Sequence, residues 1–350
     1  MGAVKTEIDG IQVLRFVAAT MVVVHHATQA TTNWLSFGAA GVDVFFVISG
    51  FIMAYTTGRS PQGADSAGRF ILRRIARIVP LYWLAIIWTT RRTAPDLNLL
   101  RDFFFIPHYN EQIPSMITPI IVQGWTLNYE MMFYVIFGAC LISSKRYVVL
   151  LAVLLLLPIV GGMLPGLYGK FYGNSIVYEF GFGVLLQLAV RRYGYPDWHR
   201  NTFLALLVLG FIGLIYGYDF EPRWFFQGAP AVLVVWSGIR ALEGWNRVPL
   251  LGDASYAIYL FHWASFGAVK PLAPHLSITA LNLVTIATGI VSGCIIHKLV
   301  EIRLTNVAKG LLFGASEKSR SVAARQSRRK RALAPSVLTA YDEHNTNTST

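Results

Sequence analysis

Long apolar runs recur along nearly the whole chain, and they limit the folds it can adopt. Of its 350 residues, 54% are hydrophobic and 14% are charged. Inside a bilayer every backbone polar group needs an internal partner, so such runs predict transmembrane helices. We therefore predict an all-α fold, a polytopic integral membrane helical bundle of about ten transmembrane helices. The predicted spans are 11–28, 40–57, 74–90, 121–142, 147–163, 174–190, 202–218, 224–241, 252–270 and 278–297.

The positions of Lys and Arg predict how these spans are oriented. With the N-terminus in the cytoplasm, 24 of the 30 Lys and Arg residues lie in inside segments and six lie outside. The positive-inside rule therefore predicts a multi-pass protein with cytoplasmic N- and C-termini. The net charge of +12 does not indicate nucleic-acid binding, because the cations lie mostly between apolar runs and in the C-terminal tail.

The composition changes from Gly314 onward. A basic run at 327–331 precedes a polar end rich in Thr and Asn, as is typical of disordered segments. We divide the chain into a membrane domain of residues 1–310 and a disordered basic cytoplasmic tail of residues 311–350. The basic cluster either lies on anionic lipid or is a solvated segment without a role.

Cysteine usage and short motifs exclude several classes of protein. Cys140 and Cys294 each lie inside an apolar run, so we expect no disulfide framework. No Cys/His pattern indicates a metal site, and we predict none. The motifs of phosphate-binding loops, zinc hydrolases and serine hydrolases are absent from the sequence, which argues against those activities.

Two ionisable residues of the first span lie on one helix face. Arg15 and His26 are eleven residues apart, about three turns, which places them roughly 16 Å apart along the helix axis. Ionisable groups are costly inside a membrane, so their presence indicates function. His25 points about 100° away from His26. That phase favours a packing or auxiliary role for His25 but leaves open which histidine of the two acts.

An arginine cluster follows at the predicted cytoplasmic side. Arg74 lies three residues before Arg77 and Arg73 lies four before it, so the three share a helix face. Clustered guanidinium groups suit phosphate recognition. The alternative is a topogenic charge cluster with snorkelling side chains.

A second polar layer is predicted at the depth of the outer leaflet. It contains His26, Asp43 and Glu130, which come from three different spans. A carboxylate bonded to one imidazole nitrogen raises basicity, leaving the other nitrogen free to take a proton from a hydroxyl. Either acid could be that partner, or the group could be a structural hydrogen bond between helices. His262, in the ninth span, is a further candidate for the cavity or a satisfied interhelical histidine.

Five motifs, taken in order, resemble the membrane-bound acyltransferase 3 family over roughly residues 8 to 300. The motifs are Ile8–Arg15 with His26, Gly41–Phe51, Arg74–Pro80, Trp125–Glu130 and Ser255–His262. The run Gly124–Met131 and the short chain are most similar to the branch that acetylates bacterial exopolysaccharides. Trp125 and Tyr256, within these motifs, are candidate cavity residues.

The resemblance implies transfer of an acyl group, expected to be acetyl, from cytoplasmic acyl-CoA to a hydroxyl of an exopolysaccharide, another cell-surface glycan or a lipid-linked saccharide. It implies a place in the bacterial inner membrane and no bound cofactor, with acetyl-CoA as the donor substrate. The resemblance implies that His26 is the essential catalytic histidine, and the shared depth makes Asp43 and Glu130 its candidate catalytic partners. The resemblance also matches Arg15, Arg74 and Arg77 to arginines of the family, and we expect them to bind acyl-CoA together with Arg73, which shares a helix face with Arg74 and Arg77.

Several alternatives stay open at this point. His26 could act as a general base or carry the acyl group covalently. A transporter or flippase for an acylated glycan precursor would also contain buried ionisable residues, but it predicts internal repeats that the sequence does not show. A basic-tailed membrane scaffold gives no reason for the Arg15–His26 spacing. The outer loop 91–117 is aromatic, which suits either acceptor contact or an interfacial belt.

Overall fold

Helices make up the regular structure of residues 8–29, 35–91, 96–245 and 249–314, which are the parts of the chain that the computed structural model describes. An isolated bridge joins Tyr109 and Ile117. The predicted all-α fold is confirmed. The helices are α1 (Asp9–Thr28), α2 (Gly41–Thr57), α3 (Ala64–Thr90), α4 (Leu97–Phe103), α5 (Trp125–Cys140), α6 (Arg146–Gly162), α7 (Gly166–Tyr172), α8 (Val177–Tyr193), α9 (Arg200–Gly217), α10 (Ala229–Ala241), α11 (Pro249–Asp253), α12 (Ser255–Val269) and α13 (Ile278–Ile296).

Five helical runs in the described ranges are long and apolar enough to cross a membrane. They are Asp9–Thr28, Ser36–Thr57, Gly166–Tyr193, Arg200–Gly217 and Ile278–Gly314. The helix Arg146–Gly162 is apolar but shorter. Each predicted span overlaps a helix of the structure. The length and composition of the helices support five membrane crossings among the described residues, so the total of about ten stays a prediction.

Helix α3 begins ten residues before the span predicted at 74–90, at Ala64. Its first turns are amphipathic, which a search for continuous apolar runs does not detect. Phe70 is buried and packs against the rings of Tyr134 and Phe137, while Arg73 faces outward. This longer helix therefore carries the arginine cluster beyond the apolar part of the span.

Helices α2 and α8 approach each other at backbone distance. A Cβ atom at Gly50 would lie 2.0 Å from the carbonyl oxygen of Phe180, and one at Gly183 would lie 2.0 Å from that of Val47. Small residues at such crossings let membrane helices pack closely. The contact brings the acidic residues of α2 and α8 face to face.

Helix α1 packs against α12. Ala19 and Val23 of α1 form a buried cluster with Ala254 and Ile258 at the start of α12. This packing places the histidines of the two helices at the same end of the bundle.

The last helix continues through a π turn, His297–Glu301, as far as residue 314. Residues 311–314 of the predicted disordered tail are therefore helical. The rest of that predicted tail, 315–350, lies outside the described residues.

Candidate active site

A cavity of about 300 Å³ opens between α1, α2, α3, α5 and α12, and we call it the arginine cavity. Its charged wall includes Arg15, Arg74, Arg77 and Glu130, while Phe45 belongs to its apolar wall. Three of the four arginines predicted from the sequence thus face one space, together with one of the two predicted carboxylates.

Arg15 is held by a chain of polar side chains. Its Nη1 donates to Gln12 Oε1 at 3.3 Å, and Gln12 Nε2 donates to Asp253 Oδ1 at 3.0 Å. Sequence reasoning missed Gln12 and Asp253. The spacing of three residues between Gln12 and Arg15 on one helix face was an available signal.

Arg74 and Arg77 face the cavity without carboxylate partners in the described chain. The guanidinium of Arg74 lies 5.6 Å from the ring centre of Phe70 and 5.7 Å from that of Tyr134, and its buried Nε has no hydrogen-bond partner there. No hydrogen bond or ion pair is found for Arg77 among the described residues. A buried cation without a partner is costly, so this arrangement suits an anionic ligand.

Glu130 interacts with hydroxyl groups. Its Oε1 accepts hydrogen bonds from Ser49 Oγ at 3.0 Å and from the Tyr134 hydroxyl. No hydrogen bond joins Glu130 to His26 within the described chain, which corrects the predicted pairing. The carboxylate belongs to the arginine cavity because α5 presents it toward α2 and α3. Tyr134, four residues after Glu130, is a neighbour that the helical spacing could have revealed.

A side-chain hydrogen-bonding partner of His26 is another histidine. His26 Nδ1 lies 3.1 Å from His262 Nε2, and the two rings stack with centres 5.0 Å apart. His262 Nδ1 lies 2.7 Å from the carbonyl oxygen of Tyr259. His262 is fully buried and His26 partly so, with the ring of Trp263 5.1 Å from that of His26. We call His26 and His262 the histidine pair.

Tyr259 lies between the arginine cavity and the histidine pair. It lines the cavity, packs at 5.9 Å against Phe45, and its ring centre is 6.3 Å from that of His262. Its hydroxyl is fixed by the Thr126 hydroxyl at 2.8 Å and by the Gln123 carbonyl oxygen at 2.9 Å. Two aromatic rings therefore separate the cations from the imidazoles.

The remaining candidate cavity residues occupy different places. Tyr256 lines the arginine cavity and donates to the Ile78 carbonyl oxygen at 3.0 Å. Trp125 packs edge-on against Tyr129 at 6.0 Å and does not line that cavity. His25 lies edge-on to His26 at 4.9 Å and packs on the turn before α2.

Asp43 is part of a separate group, which we call the carboxylate cluster. Arg223 donates from Nε to Asp43 Oδ1 at 3.0 Å and from Nη2 to Oδ2 at 2.8 Å. Glu179 Oε1 lies 4.0 Å from the same Nε, and both carboxylates are fully buried. No hydrogen bond joins Asp43 to His26 in the described structure. The predicted pairing fails because the close α2–α8 contact directs Asp43 toward Glu179 and Arg223.

A larger open cleft of about 810 Å³ adjoins the arginine cavity, and we call it the arginine cleft. Ile8 and Arg74 line both spaces. Arg73, predicted to act with the other three arginines, lies in the cleft and not in the cavity. The cleft arginines are Arg59, Arg69, Arg73, Arg74 and Arg191.

The described part of the predicted outer loop contains a buried acid. Asp102 Oδ1 lies 3.4 Å from His108 Nε2, and Asp102 Oδ2 accepts from the Ile120 amide at 3.1 Å. Burial raises the pKa of the Asp102 carboxyl to about 6, although the Ile120 amide and His108 oppose that rise. Acceptor contact by this loop stays a prediction.

Known proteins resemble the chain over most of its length. The acyltransferase 3 family model, described as an acyltransferase domain, matches residues 8–298. The exopolysaccharide production protein ExoZ of Rhizobium meliloti (strain 1021) is 33% identical over 309 residues, which cover 79% of this chain and 92% of ExoZ. BcsY of Komagataeibacter xylinus, an inferred membrane-bound transacylase, is 28% identical over 74% of this chain and 72% of its own.

A more distant relative is YrhL of Bacillus subtilis (strain 168), an inferred peptidoglycan O-acetyltransferase. It is 26% identical over 73% of this chain and 48% of its own length. No solved structure matches the chain.

Proposed function

We propose a reaction for this chain from one premise: the chain belongs to the acyltransferase 3 family. The reaction is transfer of an acyl group, specifically acetyl, from acyl-CoA to a hydroxyl of an exopolysaccharide or another cell-surface glycan. The observation that carries the choice of donor is the arginine cavity. There, Arg74 and Arg77 face a cavity without a carboxylate partner in the described chain.

The two adjoining spaces suit the two halves of acyl-CoA. The arginine cleft, open and rich in guanidinium groups, would take the phosphates of the nucleotide. The smaller arginine cavity, with apolar walls from Phe45 and Ile52, would take the pantetheine arm and the thioester. Arg74 lines both spaces and would contact the donor where it passes from one to the other.

His26 is the proposed general base. It takes the proton of the acceptor hydroxyl as that oxygen attacks the thioester carbonyl carbon, so a C–O bond forms and the C–S bond breaks. The proton then passes from His26 to the sulfur of the departing CoA. A covalent acyl-histidine is the alternative route. In both routes the thioester must pass Tyr259 and Phe45 to reach His26.

The orientation of the chain is part of the proposal. The excess of Lys and Arg in alternate connecting segments supports cytoplasmic N- and C-termini in a bacterial inner membrane. The arginine cleft and cavity would then open toward the cytoplasm, where acyl-CoA is available. His26, about three turns beyond Arg15, would lie toward the side where surface glycans are found. Family membership favours this transfer over a transporter or flippase.

The test uses purified protein in lipid nanodiscs with radiolabelled acetyl-CoA and bacterial exopolysaccharide. We expect label in the polysaccharide, and we expect His26→Ala to lower the transfer rate by about 10²–10⁴-fold because the base is lost. His275→Ala is the matched control, since this exposed histidine makes no described contact with the site. Transfer by His26→Ala at the wild-type rate would overturn the assignment.

A further inference from the structure

His262 has no part in the reaction as proposed, yet it is a side-chain hydrogen-bonding partner of the proposed base. We propose that His262 is a positioning residue that fixes the tautomer of His26, so that His26 Nε2 is the nitrogen that takes the substrate proton. This inference rests on the proposed function, in which His26 is the general base.

The first step concerns the proton on His262. Its Nδ1 lies 2.7 Å from the Tyr259 carbonyl oxygen, and a carbonyl oxygen only accepts hydrogen bonds. The proton of His262 is therefore on Nδ1. In a neutral imidazole the other nitrogen is an acceptor. His262 is fully buried and has no carboxylate partner in the described chain, which favours the neutral ring.

The second step follows along the same chain of bonds. His262 Nε2, as an acceptor, lies 3.1 Å from His26 Nδ1, so His26 donates from Nδ1. The lone pair of His26 is then on Nε2, on the far side of the ring from His262. The Tyr259 carbonyl, His262 and His26 thus form a relay in which a backbone carbonyl and a neutral imidazole replace the usual carboxylate.

Packing leaves His262 little freedom to turn. The centre of its ring lies 5.5 Å from that of Phe266 and 6.0 Å from that of Trp263. A Cβ atom added at Gly289 of α13 would lie 3.4 Å from the Cβ atom of His262. The position of the acceptor atom is therefore set by the α12–α13 contact. A rigid acceptor holds the His26 ring in one orientation through the catalytic cycle.

Two substitutions separate positioning from simple packing. His262→Phe keeps an aromatic ring against Trp263 and Phe266 but removes the acceptor. His262→Gln restores an acceptor, because the glutamine amide oxygen reaches the place of the imidazole Nε2. We expect His262→Phe to lower kcat for acetyl transfer by about 10²-fold with the KM for acetyl-CoA unchanged, and His262→Gln to recover at least a tenth of the wild-type kcat.

Thermal unfolding in detergent shows whether each variant is folded, and His275→Phe is the control at an exposed histidine. If both His262 variants fold and transfer at the wild-type rate, the positioning role is wrong. If the folded Phe and Gln variants lose activity equally, the acceptor is not what matters, and the proposal is again overturned.

Nitrogen-15 NMR of histidine-labelled protein tests the tautomer without any assay of transfer. The signals of His26 are those that disappear in His26→Gln, among the eight histidines of the chain. We expect His26 to carry its proton on Nδ1 in the wild type and to lose that preference in His262→Phe. A wild-type His26 protonated on Nε2 would overturn the relay, whereas absence of acetyl transfer by the wild type would overturn only the proposed function.

Discussion

The carboxylate cluster and the arginine cavity are both groups of buried charged residues, and they differ in whether the charges have partners. In the carboxylate cluster, Arg223 chelates Asp43 at 2.8 and 3.0 Å and lies 4.0 Å from Glu179. In the arginine cavity, by contrast, neither Arg74 nor Arg77 contacts a carboxylate within the described ranges.

We therefore propose that the paired residues of the carboxylate cluster stabilise the fold, whereas the unpaired arginines of the arginine cavity bind a ligand. A buried charge that is paired inside the protein becomes costly when its partner is removed. A buried charge that faces a cavity without a partner costs stability until an anion binds. Asp43 and Arg74 both lie in motifs that resemble the family's, yet their different surroundings support the proposal that Asp43 stabilises the fold and Arg74 binds the donor.

The largest expected effect on stability is at the carboxylate cluster. Arg223→Met leaves the buried carboxylates of Asp43 and Glu179 without a cation, so we expect the free energy of unfolding to fall by about 3–5 kcal/mol. Thermal unfolding in detergent measures this loss. Lys270→Met, at an exposed cation with no described contact, should stay within about 0.5 kcal/mol of the wild type. Equal stability of Arg223→Met and Lys270→Met would remove the distinction between the two regions.

Removing an arginine from the arginine cavity should not lower the free energy of unfolding, in contrast to Arg223→Met. Arg74→Met removes an unpaired buried cation, so without CoA the variant should be at least as stable as the wild type. CoA at a hundred times its Kd should stabilise the wild type by about 2.7 kcal/mol. The variant should need about 10–100 times more CoA, since a hydrogen bond to a charged group contributes about 1.5–3 kcal/mol. Equal shifts in Tm for both proteins would show that Arg74 does not bind CoA.

Asp102 is intermediate between the paired Asp43 and the unpaired Arg74, and we expect its effect on stability to be the smallest of the three. Burial raises its pKa from 3.8 to about 6, although His108 at 3.4 Å and the Ile120 amide oppose that rise. The folded state therefore holds a proton that the unfolded chain releases, so this contribution to stability is present below pH about 4 and is lost as the pH rises through about 6.

The measurement compares the Tm of the wild type with that of Asp102→Asn, which mimics the protonated acid. The difference, wild type minus variant, should fall between pH 4 and 6.5 and stay flat above it. A difference that increases over this range would show that His108 holds Asp102 as a paired anion, like Asp43.

The sequence predicted the long helices and the cations of the arginine cavity for clear physical reasons. Apolar runs must form helices in a bilayer, and helical spacing alone placed Arg74 and Arg77 on one face. The start of α3 was missed because its first turns are amphipathic and carry Arg69 and Arg73.

The partners of the histidine and of the acids could not be predicted in the same way. Position along a span predicts depth, but the side of the helix that meets a given neighbour depends on how the helices pack. Asp43 was therefore only one of two candidate partners for His26, and the α2–α8 contact instead pairs it with Arg223. Glu179 lies inside the predicted span 174–190, and an ionisable residue there could have predicted a buried charge pair.

The most direct test of the role of the unpaired arginines compares two acetyl donors in the wild type and Arg74→Met. Acetyl-CoA carries phosphates, whereas acetyl-N-acetylcysteamine presents the same thioester without them. If Arg74 binds the donor's phosphates, the substitution should lower kcat/KM for acetyl-CoA about 10–100-fold and leave that for the truncated donor within about twofold. Equal losses with both donors, or no loss with either, would contradict phosphate binding by Arg74.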